Sequence, residues 1–216
     1  MTFRGFSDEA LEFYERLAAD NSRAFWQEHR PDYLRLVREP MTALMAELEP
    51  EFGPGKVYRP HRDVRFSSDK SPIKDHQGGF VSVPDGTGWY VQVSSDGLMV
   101  AGGMYDPRPD QLARYRSAVD DTRRGRQLAT IAAGLEEAGF TFGSDLLKTR
   151  PRGFPVDHPR LALLRIRRPV AWAELGAPDW LATPAALDHV VASWRHLAPL
   201  NRWLGRTVGP PSASAP

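Results

Sequence analysis

Phe80-Val81-Ser82-Val83, Trp89-Tyr90-Val91-Gln92-Val93 and Leu98-Met99-Val100-Ala101 are three short stretches in the middle of the chain. β-Branched and aromatic residues dominate them, as is typical of strands. Turn residues separate them, Pro84-Asp85-Gly86 after the first and Asp96-Gly97 after the second. Because such turns join neighbouring antiparallel strands, the three stretches predict a β-meander. Gly102-Gly103 directly after the third indicates a bulge or a close approach of backbone.

Helical patterns flank the predicted meander on both sides. The N-terminal side carries three of them, and the C-terminal side carries a polar pair and one long amphipathic helix. They are predicted from Ser7 to about Ala19, from Asn21 or Ser22 to an interruption near Pro31, from Pro40 to Gly53, over 107–139, and from about Pro184 to Leu204. Further strands are predicted at Lys56–Phe66, Phe140–Phe142 and Leu161–Ile166. The pattern predicts an α+β fold, a central and mainly antiparallel sheet packed by N-terminal, middle and C-terminal helices.

Length and composition set the broad class. The chain has 216 residues, 41% of them apolar and 25% charged, which predicts one globular domain over 1–207 followed by a disordered tail over 208–216. The absence of cysteine excludes disulfides, a thiolate nucleophile and metal sites built on cysteine. No apolar run approaches the about 18 residues of a membrane span, and the first residues lack the apolar stretch of a secretion signal. We therefore expect a cytoplasmic protein without membrane contact.

Charge is unevenly distributed along the chain. The net charge of the whole sequence is +1, but residues 8–51 carry −6, residues 56–76 carry +3 and residues 144–168 carry +5. A pI near 8.1 is mild for a protein that follows a polyanion, and aromatic residues are sparse in the two basic segments. Nucleic-acid binding is therefore disfavoured, and two local clusters of cations in a neutral chain favour a discrete site for a small anion.

The first basic segment runs from Arg59 to His76. If its beginning is extended, alternate residues share a face, so Arg59, His61, Asp63 and Arg65 point to one side. The polar loop that follows supplies hydroxyl and ammonium donors of the kind that phosphate and carboxylate groups require. No phosphate-binding loop and no dinucleotide fingerprint occurs in the sequence, so we predict no cofactor.

The second basic segment lies around Lys148 and Arg150. Prolines at 151, 155 and 159 favour an extended, rigid loop that could present side chains at a site. Because clustered like charges repel unless they are solvated, paired or offset by an anion, we expect this loop and the loop at 67–76 to converge on one basic cleft. The alternative is two separate solvated surfaces paired with the acidic N-terminal helices.

Histidine near acidic residues suggests two weaker hypotheses. His61 and Asp63 could bind a metal together with His76 or His158, but the neighbouring arginines disfavour a cation, so no metal site is predicted. Asp75 or Asp157 could orient an imidazole as a general base, although residues adjacent in sequence seldom bond in this way.

Within the first basic segment, Arg59, Arg62-Asp63-Val64-Arg65-Phe66 and Asp69-Lys70 form a pattern. This pattern resembles the hallmark of an uncharacterised bacterial family, the domain of unknown function 2461, which occurs in longer fungal proteins as well. That hallmark reads Arg, two residues, Arg-Asp-x-Arg-Phe, an Asp/Asn-Lys pair and a downstream Tyr. The matching residues here are Arg59, Arg62-Asp63-Val64-Arg65-Phe66 and Asp69-Lys70. Further matches occur at Ser71-Pro72, Lys74, His76, Asn21-Ser22-Arg23 with Trp26, Gly102-Gly103-Met104-Tyr105 with Pro107, Lys148–Phe154 and Asp157-His158-Pro159.

This resemblance covers about residues 3–205 and implies a shared fold, with no established reaction to transfer. One departure concerns the hallmark tyrosine, whose place is taken by Ile73. Any role that needs a phenol there is absent or lies elsewhere in this chain.

These observations predict a basic pocket for a small anionic molecule that bears phosphate or carboxylate. If the protein is an enzyme, hydrolysis or transfer at that group is the reaction class compatible with the residues. The alternative is a non-catalytic binding or interaction module, in which Arg62, Asp63 and Arg65 form a structural ion-pair network. The oligomeric state is left open. The candidate anion-binding residues are Arg59, Arg62, Asp63, Arg65, Asp69, Lys70, Lys74, His76, Lys148 and Arg150.

Overall fold

The computed structural model describes residues 2–63 and 70–212. The helices are α1 (Asp8–Ala19), α2 (Arg23–Tyr33), α3 (Glu39–Phe52), α4 (Pro109–Asp120), α5 (Thr122–Glu137), α6 (Leu161–Leu164) and α7 (Ala185–Thr207). A π-helical turn (Leu34–Arg38) joins α2 to α3, and a 3-10 helix (Asp179–Ala182) precedes α7. The strands are β1 (Gly55–Val57), β2 (His76–Ser82), β3 (Gly88–Ser94), β4 (Gly97–Gly103), β5 (Thr141–Leu146) and β6 (Ile166–Gly176).

The strands form a six-stranded antiparallel sheet in the order β1-β2-β3-β4-β6-β5. β1 pairs with β2 so that Lys56 lies opposite Phe80. β5 pairs with β6, and the register shifts between Phe142 and Ser144, where Gly143 has a φ of 87°. The predicted meander corresponds to β2, β3 and β4, and the predicted α+β fold is confirmed.

The predicted strand over Lys56–Phe66 is confirmed at Lys56 and Val57 and is wrong over 58–63, the rest of its described part. Regular pairing with β2 ends at Val57, and a single bridge between His61 and Ile73 follows. Pro60 explains the early end, because a proline has no N–H to donate to a neighbouring strand. The expected common face of Arg59, His61 and Asp63 therefore lacks a continuous strand, and Arg65 lies outside the described residues.

Two further predictions of local structure are wrong. Leu161–Leu164 is a helical turn. The strand begins only at Ile166, and it extends to Gly176. Pro31 does not interrupt the second helix, which continues to Tyr33 and then into the π-helical turn. Buried side chains before and after Pro31, among them Trp26 and Tyr33, hold this region together through tertiary packing.

The chain divides into two compact units, and the prediction of a single domain stays a prediction. The first unit comprises the described residues of 2–63, 70–81, 90–100 and 174–192. Its core contains a cluster of aromatic rings, in which Phe13 and Tyr14 lie 5.3 Å apart and Trp26 and Tyr33 lie 4.9 Å apart between ring centroids.

The second unit comprises residues 82–89, 101–173 and 193–212. Trp89 and Trp194 stack at 5.8 Å between ring centroids, and Trp194 is fully buried. At the end of β4, Gly103 has a φ of 133° and lies against the backbone of Pro169 in β6, so that an added Cβ would be 2.4 Å from the Pro169 carbonyl oxygen. This is the close backbone approach indicated by the glycine pair.

The chain beyond α7 contacts α4 within the second unit. The Arg114 guanidinium donates to the carbonyl oxygens of Val208 and Pro210, each at 2.6 Å. The Asp110 carboxylate accepts the Ser212 N–H at 2.8 Å, and this hydrogen bond holds the pKa of the Asp110 carboxyl well below its usual value. Residues 208–212 of the predicted tail are thus hydrogen-bonded, whereas residues 213–216 lie outside the described part of the chain.

Candidate functional site

A cleft of about 500 Å³ opens in the first unit beside the first basic segment. We call it the Arg62 cleft. Its lining residues are Arg23, Trp26, Gln27, His61, Arg62, Lys70, Pro72 and Ile73. Three of these carry positive charge, and none of the described lining residues is a carboxylate. The described part of the lining therefore carries a net positive charge.

The first turn of α2 forms one wall of the Arg62 cleft. Ser22 caps this helix, because its hydroxyl oxygen accepts the Phe25 N–H at 3.1 Å. Arg23, Trp26 and Gln27 are spaced three and four residues apart and therefore share one side of the helix. Trp26 is only 8% exposed, and its ring meets the His61 ring edge to face at 5.7 Å. This contact fixes the wall against the basic segment.

The opposite wall consists of two paired backbone segments. Arg62 N–H donates to the Pro72 carbonyl at 2.9 Å, and Lys74 N–H donates to the Pro60 carbonyl at 2.8 Å. The Asn21 side chain closes this arrangement, because it donates to the Ile73 carbonyl at 2.9 Å and accepts the Ile73 N–H at 3.1 Å. One amide thus ties the segment before α2 to the segment that carries Lys70 and Lys74.

Asp75 lies between Arg62 and His76. Its Oδ1 is 3.5 Å from a terminal nitrogen of Arg62 and 2.7 Å from Nδ1 of His76. The Asp75 side chain is 68% exposed, so water screens both interactions. Asp75 and His76 are adjacent in the sequence, and the sequence pattern offered only weak support for a contact between them. A general-base role for His76 stays a prediction.

Beside the cleft, two lysine side chains lie over the ring of Tyr58, and the positive charge of Arg59 acts on one of them, Lys74. We call Lys56, Tyr58, Arg59 and Lys74 the Tyr58 ledge. The Nζ atoms of Lys56 and Lys74 lie over the ring, 5.3 and 5.2 Å from its centroid. Burial lowers the pKa of the half-buried Lys74 ammonium, and the positive charges of Arg59 and Arg62 lower it further.

Buried and partly buried hydrogen bonds hold the backbone of the Tyr58 ledge. The Tyr58 carbonyl accepts from the Gln77 side-chain amide at 2.9 Å and from the Arg38 guanidinium at 3.4 Å. The Tyr33 hydroxyl donates to the side-chain oxygen of Gln77. Burial raises the pKa of Tyr33, an effect that Arg38 partly opposes. The ledge is therefore anchored by α2, by the π-helical turn that carries Arg38 and by β2.

The structure brings together part of the predicted site. Arg62 and Lys70 line the Arg62 cleft, Arg59 and Lys74 belong to the Tyr58 ledge, and His76 contacts Asp75. Asp63 is exposed next to Arg62. Arg65 and Asp69 lie outside the described residues. Lys148 and Arg150 are exposed in the second unit, where the Arg150 guanidinium donates to the Phe154 carbonyl at 2.8 Å. A cleft shared with the second basic segment stays a prediction.

Three lining residues of α2 and the Asn21 clamp were not among the predicted site residues. Arg23, Trp26 and Gln27 lie more than 30 positions before the basic segment in the sequence, and no local pattern links them to it. The signal that could have found them is the Asn21-Ser22-Arg23 stretch with Trp26, which was noted only as a part of the family resemblance.

Within the second unit, the Asp157-His158-Pro159 stretch lies at the C-terminal end of α4, which His158 and the following Arg160 contact. The Arg160 guanidinium donates to the carbonyls of Val119 at 2.7 Å and Asp120 at 2.9 Å. His158 Nδ1 accepts the Arg160 N–H at 3.1 Å, so its Nε2 carries the proton that faces Asp120 at 3.2 Å. These contacts cap a helix C-terminus, and they orient His158 through Asp120 rather than through the adjacent Asp157.

Two features are absent from the described residues. Within 2–63 and 70–212, no group of three or more histidine or acidic side chains converges as a metal ion would need. Over the same residues, no helix combines the length and the apolar character that crossing a membrane requires.

Comparisons with known proteins identify the family to which this chain belongs. A search of curated proteins gives no match. A family model described as "Conserved hypothetical protein (DUF2461)" matches residues 9–203, which include all the described residues of the Arg62 cleft and the Tyr58 ledge. Since the match covers most of the chain, the resemblance seen in the sequence is confirmed, and the protein belongs to the DUF2461 family of conserved hypothetical proteins.

Proposed function

We propose that the protein binds a small molecule bearing a phosphate or carboxylate group in the Arg62 cleft. The observation that carries this proposal is the lining of the cleft, in which Arg23, Arg62 and Lys70 come from two separate segments and no described lining residue is acidic. Guanidinium groups bind such anions through paired hydrogen bonds, and an ammonium group adds a compact charge.

The size of the cleft supports an organic ligand rather than an inorganic ion alone. Its volume of about 500 Å³ lies within the usual range for small-molecule sites. Trp26, Pro72 and Ile73 provide apolar lining beside the cations. A ligand with an anionic group at one end and an apolar or aromatic body would satisfy both parts.

Hydrolysis or transfer at the bound group is the reaction class that these residues fit. Arg62 and Lys70 would stabilise negative charge that develops on phosphate or carboxylate oxygens. His76, oriented by Asp75 at 2.7 Å, is the candidate for proton transfer.

A non-catalytic role is the second candidate function. The observation in its favour is the contact of 3.5 Å between Arg62 and Asp75, which would make Arg62 part of a structural ion-pair network. The two functions differ in what the loss of Arg62 does to anion affinity and to the free energy of unfolding.

Lys70→Ala tests the proposed function directly. We expect calorimetric titration with phenyl phosphate to give an affinity about tenfold weaker for this variant, the loss expected for one charge-assisted contact. The control is Arg35→Ala, because Arg35 is an exposed cation that pairs with Glu9 and Asp32. Equal weakening in both variants, or no binding to the parent protein, would refute the proposal.

The prediction that Lys148 and Arg150 serve the same ligand has its own test. Lys148→Ala should weaken phenyl phosphate binding to a similar extent as Lys70→Ala. An unchanged affinity in this variant would remove the second basic segment from the site and leave the Arg62 cleft as proposed.

Asp75→Asn should strengthen anion binding. The Asp75 carboxylate competes with a bound anion for Arg62, and asparagine removes its charge at nearly the same size. Because Asp75 is exposed, we expect a gain of about three- to fivefold in phosphate affinity, on the scale of a solvent-exposed ion pair. Weaker binding in this variant would show that Asp75 positions Arg62 instead of competing for it.

A further inference from the structure

One face of the sheet in the first unit carries half-buried aromatic side chains. In β3, the fully buried Val91 and Val93 alternate with the half-buried Tyr90 and Gln92. Phe80 of β2 is half-buried as well and lies between two buried neighbours. Because successive residues of a strand point to opposite faces, Phe80 and Tyr90 belong to the face that is turned away from the apolar core.

Three rings meet on this face, and we call Tyr58, Phe80 and Tyr90 the aromatic face. The centroid of the Tyr58 ring lies 6.3 Å from that of Phe80, with an angle of 19° between the ring planes, and 6.4 Å from that of Tyr90. The Tyr90 ring packs directly on Gly78, where an added Cβ would be 2.5 Å from the Tyr90 hydroxyl oxygen. Since one side of the half-buried ring lies against strand backbone, its other side faces outward.

Lysine side chains border the aromatic face. Lys56 lies opposite Phe80 in the pairing of β1 with β2, and its Nζ atom is 5.3 Å from the centroid of the Tyr58 ring. The Nζ atom of Lys74 is 5.2 Å from the same centroid. Lys56 and the nearby Arg59 are exposed, so their charges are accessible to a partner. Surfaces that bind single-stranded nucleic acid have this composition, because bases stack on aromatic rings and cations pair with the phosphates.

We propose that the aromatic face and its bordering cations bind single-stranded nucleic acid. Two bases would stack on the rings of Phe80 and Tyr90, and Lys56 and Arg59 would pair with phosphates. An antiparallel sheet that presents aromatic rings is a known platform for unpaired bases. The inference goes beyond ligand binding in the Arg62 cleft and does not depend on it, since none of these residues is among the described lining residues of the cleft.

The fold changes the expectation that the sequence raised against nucleic acid. That expectation rested partly on the scarcity of aromatic residues within the two basic segments. Phe80 and Tyr90 lie outside both segments, and the pairing of neighbouring strands brings them beside Lys56 and Tyr58. The pI near 8.1 still limits the electrostatic attraction, so we expect a modest affinity that falls as salt is added.

Fluorescence anisotropy of labelled oligo(dT) and oligo(U), titrated with the full-length protein, tests the proposal. Phe80→Leu removes a ring and keeps an apolar side chain, so we expect about tenfold weaker binding from the loss of one stacked base. The matched control is Tyr105→Leu, because Tyr105 is also exposed beside a cation, with the Arg168 guanidinium 4.9 Å from its ring centroid, but belongs to the second unit. This control should leave the affinity unchanged.

Lys56→Ala measures the phosphate contact separately and alters only an exposed side chain. It should reduce the slope of log affinity against log salt concentration by about 0.7, the contribution of one phosphate of a single strand. An oligonucleotide of equal length without bases should bind about tenfold more weakly than oligo(dT). Equal binding of the two would show that the surface attracts any polyanion, and it would overturn the proposal.

Two more results would speak against the aromatic face. One is the absence of binding to either oligonucleotide at low salt. The other is an unchanged affinity in folded Phe80→Leu together with an unchanged salt slope in Lys56→Ala. Lys70→Ala should leave oligonucleotide binding unchanged, and Phe80→Leu should leave phenyl phosphate binding unchanged. A failure of this proposal is therefore distinguishable from a failure of anion binding in the Arg62 cleft.

Discussion

Replacing Arg62 by alanine is expected to weaken phenyl phosphate binding about 100-fold, because two charge-assisted hydrogen bonds to the anion are lost. The same change should lower the free energy of unfolding of the ligand-free protein by less than about 1 kcal/mol. The contact with Asp75 contributes little to this loss, because the Asp75 side chain is 68% exposed and keeps its contact with His76. Calorimetric titration and urea denaturation of the variant measure the two quantities.

Arg62→Lys is the matched control for charge. It keeps a positive group at this position but loses the planar fork, so we expect a phosphate affinity between those of the parent protein and of Arg62→Ala. The opposite pattern would favour the structural ion-pair network. In that case Arg62→Ala would leave phenyl phosphate binding unchanged and cost about 1–3 kcal/mol of stability through an orphaned polar partner.

Gly103→Ala is expected to lower the free energy of unfolding by about 4 kcal/mol, at the upper end of single substitutions. Two effects add. The φ of 133° is unfavourable for a residue with a side chain, and the new methyl group would lie 2.4 Å from the Pro169 carbonyl oxygen and 2.6 Å from Val170 Cα. Both contacts are to backbone of the neighbouring strand, which cannot move without disturbing the sheet.

Gly139→Ala separates these two effects. Gly139 also has a positive φ, 85°, but nothing lies within 4 Å of the position that its Cβ would take. This variant should lose about 1–2 kcal/mol from backbone strain alone. Urea denaturation of both variants measures the difference, and equal losses would mean that the sheet accommodates the methyl group at Gly103.

The central strands were predictable because their signals are local. Trp89–Val93 alternates between the two faces of a sheet, and Asp96-Gly97 marks the turn that follows. Gly97 indeed has a φ of 94°, which fits the left-handed conformation that a tight turn requires. Where the alternation of side chains and the turn residues both indicated a strand, the predicted strands were found in the structure.

Strands whose pairing depends on distant partners were harder to predict. Ile166–Gly176 contains Arg167, Arg168 and Pro169 near its start, so its sequence does not look like a strand. Arg167 is compensated by Asp145 of β5, which accepts from its Nε at 2.9 Å. Such compensation arises only after the strands have paired, and no local pattern predicts it.

Only the basic segment of the candidate site was predictable from the sequence. Lys70 and Arg62 stand out in the sequence because cations cluster around them. The wall formed by α2 depends on tertiary contacts, the edge-to-face packing of Trp26 on His61 and the Asn21 clamp on Ile73. Charge patterning reveals where an anion could bind, whereas the shape of the pocket follows from packing between segments far apart in sequence.

The π-helical turn at Leu34–Arg38 offers a point at which relatives of this protein could differ in length without a change in the pocket. A π-helical turn accommodates one residue more than an α-helical turn, so deleting a single residue there would restore α-helical geometry. Because the wider turn absorbs the extra residue, the side chains on either side of the deletion would keep nearly the same angular position. Arg23, Trp26 and Gln27 before the turn would still line the cleft, and Met41 and Met45 after it would still pack against Gly79 of β2. Length variation at this one point would thus preserve both the pocket wall and the hydrophobic interior.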